Sequence, residues 1–305
     1  MKPVDRKVLA VVLTAASLCL VALAATAAEA AGPSINAGPQ AGTVWLRGSQ
    51  TAAGHAAHTQ SPNLIYHGGP VMTSQTEVFP IFWGTSWPSY VGDKISGING
   101  FYSNVGATSY LGTNSEYNDS TNKFVSTAVH ENTVKIDGSA AVSRAPQTSD
   151  ILAEVARMYP NPTPNAYYPV YIDQPRGHAG YCAWHSSGTI NGTTVQFGFF
   201  FKLDGDAGCN PDSPTSQSEG LAALGNVSGH ELSEMLTDPQ LNAWYDSKGA
   251  ENSDKCAWTF GSQLLSLKGS NWKIQGNWSN HAYDTNKGYT DSSSGFVRGC
   301  VDGTN

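Results

Sequence analysis

The stretch Gly229-His230-Glu231-Leu232-Ser233-Glu234-Met235-Leu236-Thr237-Asp238-Pro239 organises the reading of the whole chain. It continues a run of small and apolar residues that begins near Glu219, and between Glu219 and Asp238 there is no Lys or Arg. Leu221, Leu224, Leu232, Met235 and Leu236 recur at roughly helical spacing, and Pro239 stops the pattern. Much of the rest is Ala222, Ala223, Gly225, Ser228, Gly229 and Ser233, small enough to let neighbours approach on several sides. A buried helix is therefore expected, with Glu231 and Glu234 as its only internal formal charges. Buried carboxylates with no local base need a cation, or they take up protons.

On a helix, His230 and Glu234 lie one above the other on one face, and Glu231 sits about 100° around from His230. This is the layout of H-E-x-x-H with glutamate in place of the second histidine. In the parent motif the outer residues bind zinc, and the inner Glu takes a proton from the water that the metal activates. A carboxylate is an acceptable zinc ligand, but it makes the site harder and more anionic. One divalent ion is expected, with zinc favoured and calcium the alternative.

A third ligand is needed. In gluzincin-type enzymes it is an acidic residue roughly twenty positions beyond the motif. Asp254 and Glu251 both lie in that range, in Gly249-Ala250-Glu251-Asn252-Ser253-Asp254-Lys255-Cys256. Asp238 and Asp246 are weaker candidates, Asp238 reading better as a helix-end residue. His185, in Gly180-Tyr181-Cys182-Ala183-Trp184-His185-Ser186, stands just ahead of an aromatic strand. There it could bind metal or polarise a substrate carbonyl. His67, His130, His178 and His281 have no local feature that lifts them above ordinary histidines.

Working outward, Lys2, Arg6 and Lys7, the uncharged apolar run at 8–24 and the Ala-x-Ala sites at Ala25-Thr26-Ala27 and Ala28-Glu29-Ala30 read as a secretory signal peptide over residues 1–30. Its removal takes away three bases and two acids, moving the net charge from −7 to −8. With 17 Lys and Arg in all and no basic patch, a nucleic-acid partner is not expected, nor is a membrane once the signal is gone. Cys182, Cys209, Cys256 and Cys300 remain, an even count that suggests two disulfides. Three connectivities are possible; the local pairs Cys182–Cys209 and Cys256–Cys300 are preferred.

Residues 31–62 lack apolar periodicity and read as a disordered leader or linker; residues 63–305 form one domain. Strands are expected at 75–83 (with Pro80 at an edge or bulge), within 124–136, and at 168–173 and 194–203. Helices are expected at 87–105 and 149–159. The tail from Trp244 reads as short strands and long loops. Together these give an α+β fold, a mixed α/β sandwich around one sheet with an irregular β- and loop-rich C-terminal part.

Tyr66-His67-Gly68-Gly69-Pro70-Val71-Met72 and Val78-Phe79-Pro80-Ile81-Phe82-Trp83-Gly84 resemble the opening of the EXORDIUM (phosphate-induced protein) family of secreted plant proteins. Cys182-Ala183-Trp184-His185 resembles that family's Cys-Gly-x-His. Thr237-Asp238-Pro239-Gln240-Leu241-Asn242-Ala243-Trp244-Tyr245, with Glu251 and Cys256 after it, resembles its Thr-Asn-Pro and Glu-Cys region. The resemblance, patchy over residues 63–301, implies an exported microbial relative with a metalloprotease-like helix on that framework. The plant proteins' growth-related role is not carried over.

Two functions compete. One is a secreted metal-dependent hydrolase, most simply a zinc peptidase. His230 and Glu234 with Asp254 or Glu251 would hold the metal, Glu231 would be the general base, His185 would steady the oxyanion, and a peptide would lie along an edge strand. The other is a non-catalytic extracellular module whose ion, more simply calcium, fastens the tail to the helix. Its eight Trp and thirteen Tyr would offer a carbohydrate or cell-wall surface.

Overall fold

A computed structural model describes residues 34–35, 42–48, 62–212, 215–289 and 298–303. The signal segment expected at 1–30, and with it Cys19, lies outside the described residues. Among the described residues, nine strands make the main sheet: β1 (Ser34–Ile35), β2 (Thr43–Trp45), β4 (Thr76–Val78), β5 (Ile81–Trp83), β6 (Val129–Glu131), β7 (Lys135–Asp137), β8 (Ala166–Pro175), β9 (Tyr181–Ile190) and β10 (Thr193–Lys202). The order runs β1-β9-β10-β8-β4-β6, with β2 also on β9 and β5 between β8 and β7. Short pairs complete the β structure: β3 (Ile65–Tyr66) with β11 (Trp244–Tyr245), β12 (Leu265–Leu267) with β13 (Ser270–Trp272), and β14 (Asn277–Trp278) with β15 (Cys300–Val301). The helices are α1 (Lys94–Val105), α2 (Ser109–Gly112), α3 (Thr148–Met158), α4 (Glu219–Thr237) and α5 (Asn280–Asp284).

The sheet is mixed: β10 runs antiparallel to β9 but parallel to β8. Its two faces are separated by strand alternation. From β8, Tyr171 reaches the Tyr102 hydroxyl of α1 at 3.0 Å and the Ser228 hydroxyl of α4 at 2.8 Å. One and three residues earlier, on the other face, Val170 and Tyr168 turn away from α4, and Tyr168 packs on Tyr159 at the end of α3. Helices therefore cover both faces, which is why β8, β9 and β10 are buried over most of their length. The α+β sandwich around one sheet, with a tail of short strands, is the observed architecture.

Four expectations change in detail. Residues 75–83 form two strands, β4 and β5, broken at Phe79 and Pro80. Both lie inside the sheet and not at its edge, since β5 pairs with β7 and β8 and β4 with β6 and β8. The proline lacks a donor, so the ladder is interrupted there without losing its place. The helix expected from Trp87 begins only at Lys94, after a short 3-10 turn at Trp87–Ser89. Pro88 and Gly92 lie between. Residues 181–190 form a ten-residue strand that their Ser and Gly content conceals. Finally, the segment 31–62 is not wholly without structure: Ser34–Ile35 and Thr43–Trp45 pair with β9.

α4 is the central helix. Ser218 caps it, accepting from Leu221 N–H, while its hydroxyl donates to Asp93 at 2.6 Å. Buried Lys94 reaches Asp204 at 2.6 Å beside the same end. Every residue from Gly220 to Thr237 is buried. The small residues make this possible. A Cβ on Gly225 would stand 2.3 Å from the Trp272 ring, and one on Gly229 would stand 2.7 Å from Ile274 Cγ2. At the other end Asp238 Oδ1 accepts from Asn242 N–H at 2.6 Å and Ala243 N–H at 2.7 Å, so Asp238 is the helix-end residue expected.

Candidate metal centre

Three elements deliver the site. α4 brings His230, Glu231 and Glu234; β9 brings His185 from the strand over which α4 lies; the loop before Cys256 brings Glu251 and Asp254. Both expected acidic candidates thus reach the helix, one on each histidine. His185 does stand ahead of the aromatic strand β10, but it is itself in a strand, in the middle of β9 and opposite Gly198 of β10.

The loop is held by buried polar contacts. Ser253 Oγ–H donates to the backbone carbonyl of His230 at 3.2 Å and also lies 2.8 Å from Asn277 Oδ1. Trp278 N–H donates to Asn252 O at 2.8 Å, and Asp254 N–H donates to Glu234 Oε1 at 3.0 Å. The Cys256–Cys300 disulfide, with an S–S distance of 2.04 Å, anchors the next residues. Cys182–Cys209 likewise ties β9 to the loop after β10. Both pairs are the local ones. They fit an oxidising or extracellular environment, and no described helix is long and apolar enough to cross a membrane.

The side chains converge in two groups that share Glu234. In the first, His230 Nε2 is 2.9 Å from Glu234 Oε1 and 3.6 Å from Asp254 Oδ1. In the second, His185 Nδ1 is 3.0 Å from Glu231 Oε2 and 3.5 Å from Glu234 Oε2. Beyond it, His185 Nε2 is 3.7 Å from Glu251 Oε1. Tetrahedral zinc with bonds of about 2.0–2.1 Å separates its ligand atoms by about 3.3 Å. The observed separations bracket that value. His185, His230, Glu231 and Glu234 have no solvent exposure, and Glu251 has 2%. Yet His185 Nε2, His230 Nε2, Glu231 Oε1, Glu234 Oε2, Glu251 Oε1 and Asp254 Oδ1 make no hydrogen bond. Buried polar atoms are ordinarily satisfied, so this concentration of orphans around two imidazoles fits a cation.

Charge points the same way. Four carboxylates face two imidazoles, leaving a negative surplus even with both rings protonated. The nearby Lys255 is committed to Asp246 at 2.7 Å, which removes Asp246 from the candidate ligands. Burial, reinforced by the charge of Glu234, pushes the Glu251 carboxyl well above the usual carboxylate range. Burial likewise raises Glu231. Glu234 is the exception: burial would raise it, but the charges of His230 and His185 beside it hold it below its ordinary value. Metal binding would replace the protons that this cluster otherwise needs.

Gln275 and Gly42 had no sequence signal. Gln275 Nε2 lies 2.8 Å from His230 Nδ1 and donates to Ser253 O at 2.9 Å. Metal on His230 Nε2 requires the proton on Nδ1, so the Gln275 amide must then turn its oxygen to this ring. Gly42 carbonyl accepts from His185 N–H at 2.8 Å, and a Cβ there would stand 2.3 Å from His185 Cε1. Only a bare backbone fits over that imidazole. Among the described residues the other histidines stay apart from the centre: His67 stacks on Tyr245 with ring centroids 3.5 Å apart, and His130 pairs with Glu77 at 2.8 Å.

Comparison with protein-family models, with curated proteins and with solved structures returned no match. The site's chemistry therefore rests on its own geometry.

Proposed function

We propose that this protein is a secreted metal-dependent hydrolase, acting on a peptide or protein carbonyl. The observation that carries the reading is the convergence of His230 Nε2 and Asp254 Oδ1, both buried and unpaired, on the Glu234 carboxylate, beside an additional buried carboxylate, Glu231. A bound divalent ion, zinc by donor set, would supply Lewis acidity to a carbonyl and acidity to a water molecule. Glu231 accepts the water's proton at Oε1, its free oxygen, and passes it to the leaving amine as the C–N bond breaks. Burial raises its proton affinity, which suits a general base working near neutrality. His185 holds Glu231 through the 3.0 Å contact at Oε2, so it is first a positioning residue, with oxyanion stabilisation as a further role. The exported-relative reading drawn from the EXORDIUM-like segments is part of this proposal, and the disulfides support the export element.

The test is Glu231→Gln. Hydrolysis of a casein or peptide-library substrate should be lost while the ion on His230 is retained. Full activity in that variant removes the assignment.

One observation favours the second reading, a structural ion in a non-catalytic module. The ligands are almost entirely enclosed, and Gly42 lies against His185. A metal-dependent rise in melting temperature with no hydrolysis of any substrate would select it.

A further inference from the structure

We infer that the centre holds two cations, bridged by Glu234, with the second bound by His185 Nδ1 and Glu231. This rests on the metal reading above and extends it to a site that the H-E-x-x-E motif does not describe. The argument begins with His185. Its ring is fully buried and stands among three carboxylates, with Glu231 and Glu234 on the Nδ1 side and Glu251 on the Nε2 side. A neutral imidazole has one proton and serves one side only. A doubly protonated ring serves both sides, but its single positive charge leaves two of the three carboxylate charges unmatched. A cation on Nδ1 resolves this, because the remaining Nε2–H then points at Glu251 Oε1. That is the carboxylate–histidine–metal arrangement by which outer groups fix a ligand's tautomer. Both atoms of this outer pair make no hydrogen bond and stand 3.7 Å apart.

Glu234 supplies the bridge. Its Oε1 faces His230 Nε2 at 2.9 Å and its Oε2 faces His185 Nδ1 at 3.5 Å, so the two oxygens of one carboxylate serve opposite positions. Cations shared in this way lie about 3.5–4 Å apart, the spacing of two-metal hydrolytic centres. The charge agrees: four carboxylates balance two divalent ions with both imidazoles neutral. Glu231 then ligates through Oε2 and keeps Oε1 for the proton.

The experiment is metal stoichiometry of the full chain after dialysis against Zn²⁺, read by elemental mass spectrometry, for wild type, His185→Ala and His230→Ala. Two ions in wild type and one in each variant are expected. One ion in wild type, lost in His230→Ala and kept in His185→Ala, overturns the second site and leaves the hydrolase reading standing. No ion in wild type overturns both. Two ions retained in His185→Ala place the second one elsewhere and also overturn the inference. Wild type loaded with Mn²⁺ needs no variant to fold: a spin-coupled paramagnetic resonance spectrum is expected, and an uncoupled one contradicts the bridge.

Discussion

His185 Nδ1 and Glu231 Oε2 stand 3.0 Å apart, joining the middle of a central strand to the middle of a buried helix. Neither side chain touches solvent. The contact fixes where the Glu231 carboxylate points, and it sets the first prediction. Glu231→Gln should lower hydrolysis by about 10²–10⁴-fold, the usual scale for a general base, with little change in substrate affinity. Steady-state kinetics on a peptide substrate check this; an equal loss in affinity and no loss in turnover would count against the base.

Gln275 contacts His230 on the side away from Glu234. Gln275→Leu removes the group that orients the ring. Removal of such an outer partner typically costs 10–100-fold in metal affinity, and about that loss is expected here. Competition with a chromogenic chelator measures it. Unchanged affinity would mean that Gln275 does not orient His230 for a metal.

How much of this was legible in the sequence varies by element. The extent of α4 was, because its apolar recurrence and Pro239 are local signals, and so was the acidic pair twenty residues on. β9 was not: Ser186, Ser187 and Gly188 look like a loop, yet they form a strand because small residues are what a sheet covered on both faces accommodates. β2 was hidden in a leader whose composition is that of a linker, and its order comes from pairing with β9. Gln275 reaches His230 from 45 positions away, a contact with no periodic trace. Composition also could not show that Gly225 and Gly229 are where Trp272 and Ile274 press on the helix.

Gly42 adopts φ +61° and carries no side chain against His185. Gly42→Val adds both left-handed strain and a clash, and should cost about 1–3 kcal/mol. It should also lift β2 from the ring, so a chelator should strip the ion faster than from wild type. Stopped-flow extraction reads the rate; an unchanged rate would show that β2 does not guard the site.

In the metal-free protein the cluster makes stability fall as pH rises. Burial raises Asp238 to about 6 and Glu251 well above its ordinary value. His185 and His230 are also raised: burial opposes their charge, but Glu251 beside the first and Glu234 beside the second outweigh it. Groups raised in the folded state contribute fully below their unfolded pKa and lose that contribution as pH rises through the folded one. Glu234, held low, behaves oppositely, but its contribution is lost only below its ordinary carboxylate range. Chelator-treated protein should therefore melt higher at about pH 5 than at about pH 8, and saturating Zn²⁺ should remove or reverse the difference. Calorimetry at the two pH values checks the sign.

The most direct measurement is thermal unfolding of chelator-treated protein with and without Zn²⁺, Mn²⁺ or Ca²⁺, in wild type and Glu234→Gln. At a hundredfold excess over the dissociation constant one bound ion adds about 2.7 kcal/mol, or about 5–10 °C for a domain of this size. The account predicts such a rise in wild type for at least one of the three ions, and its loss in Glu234→Gln. A wild-type melting temperature that none of the three ions moves would contradict it.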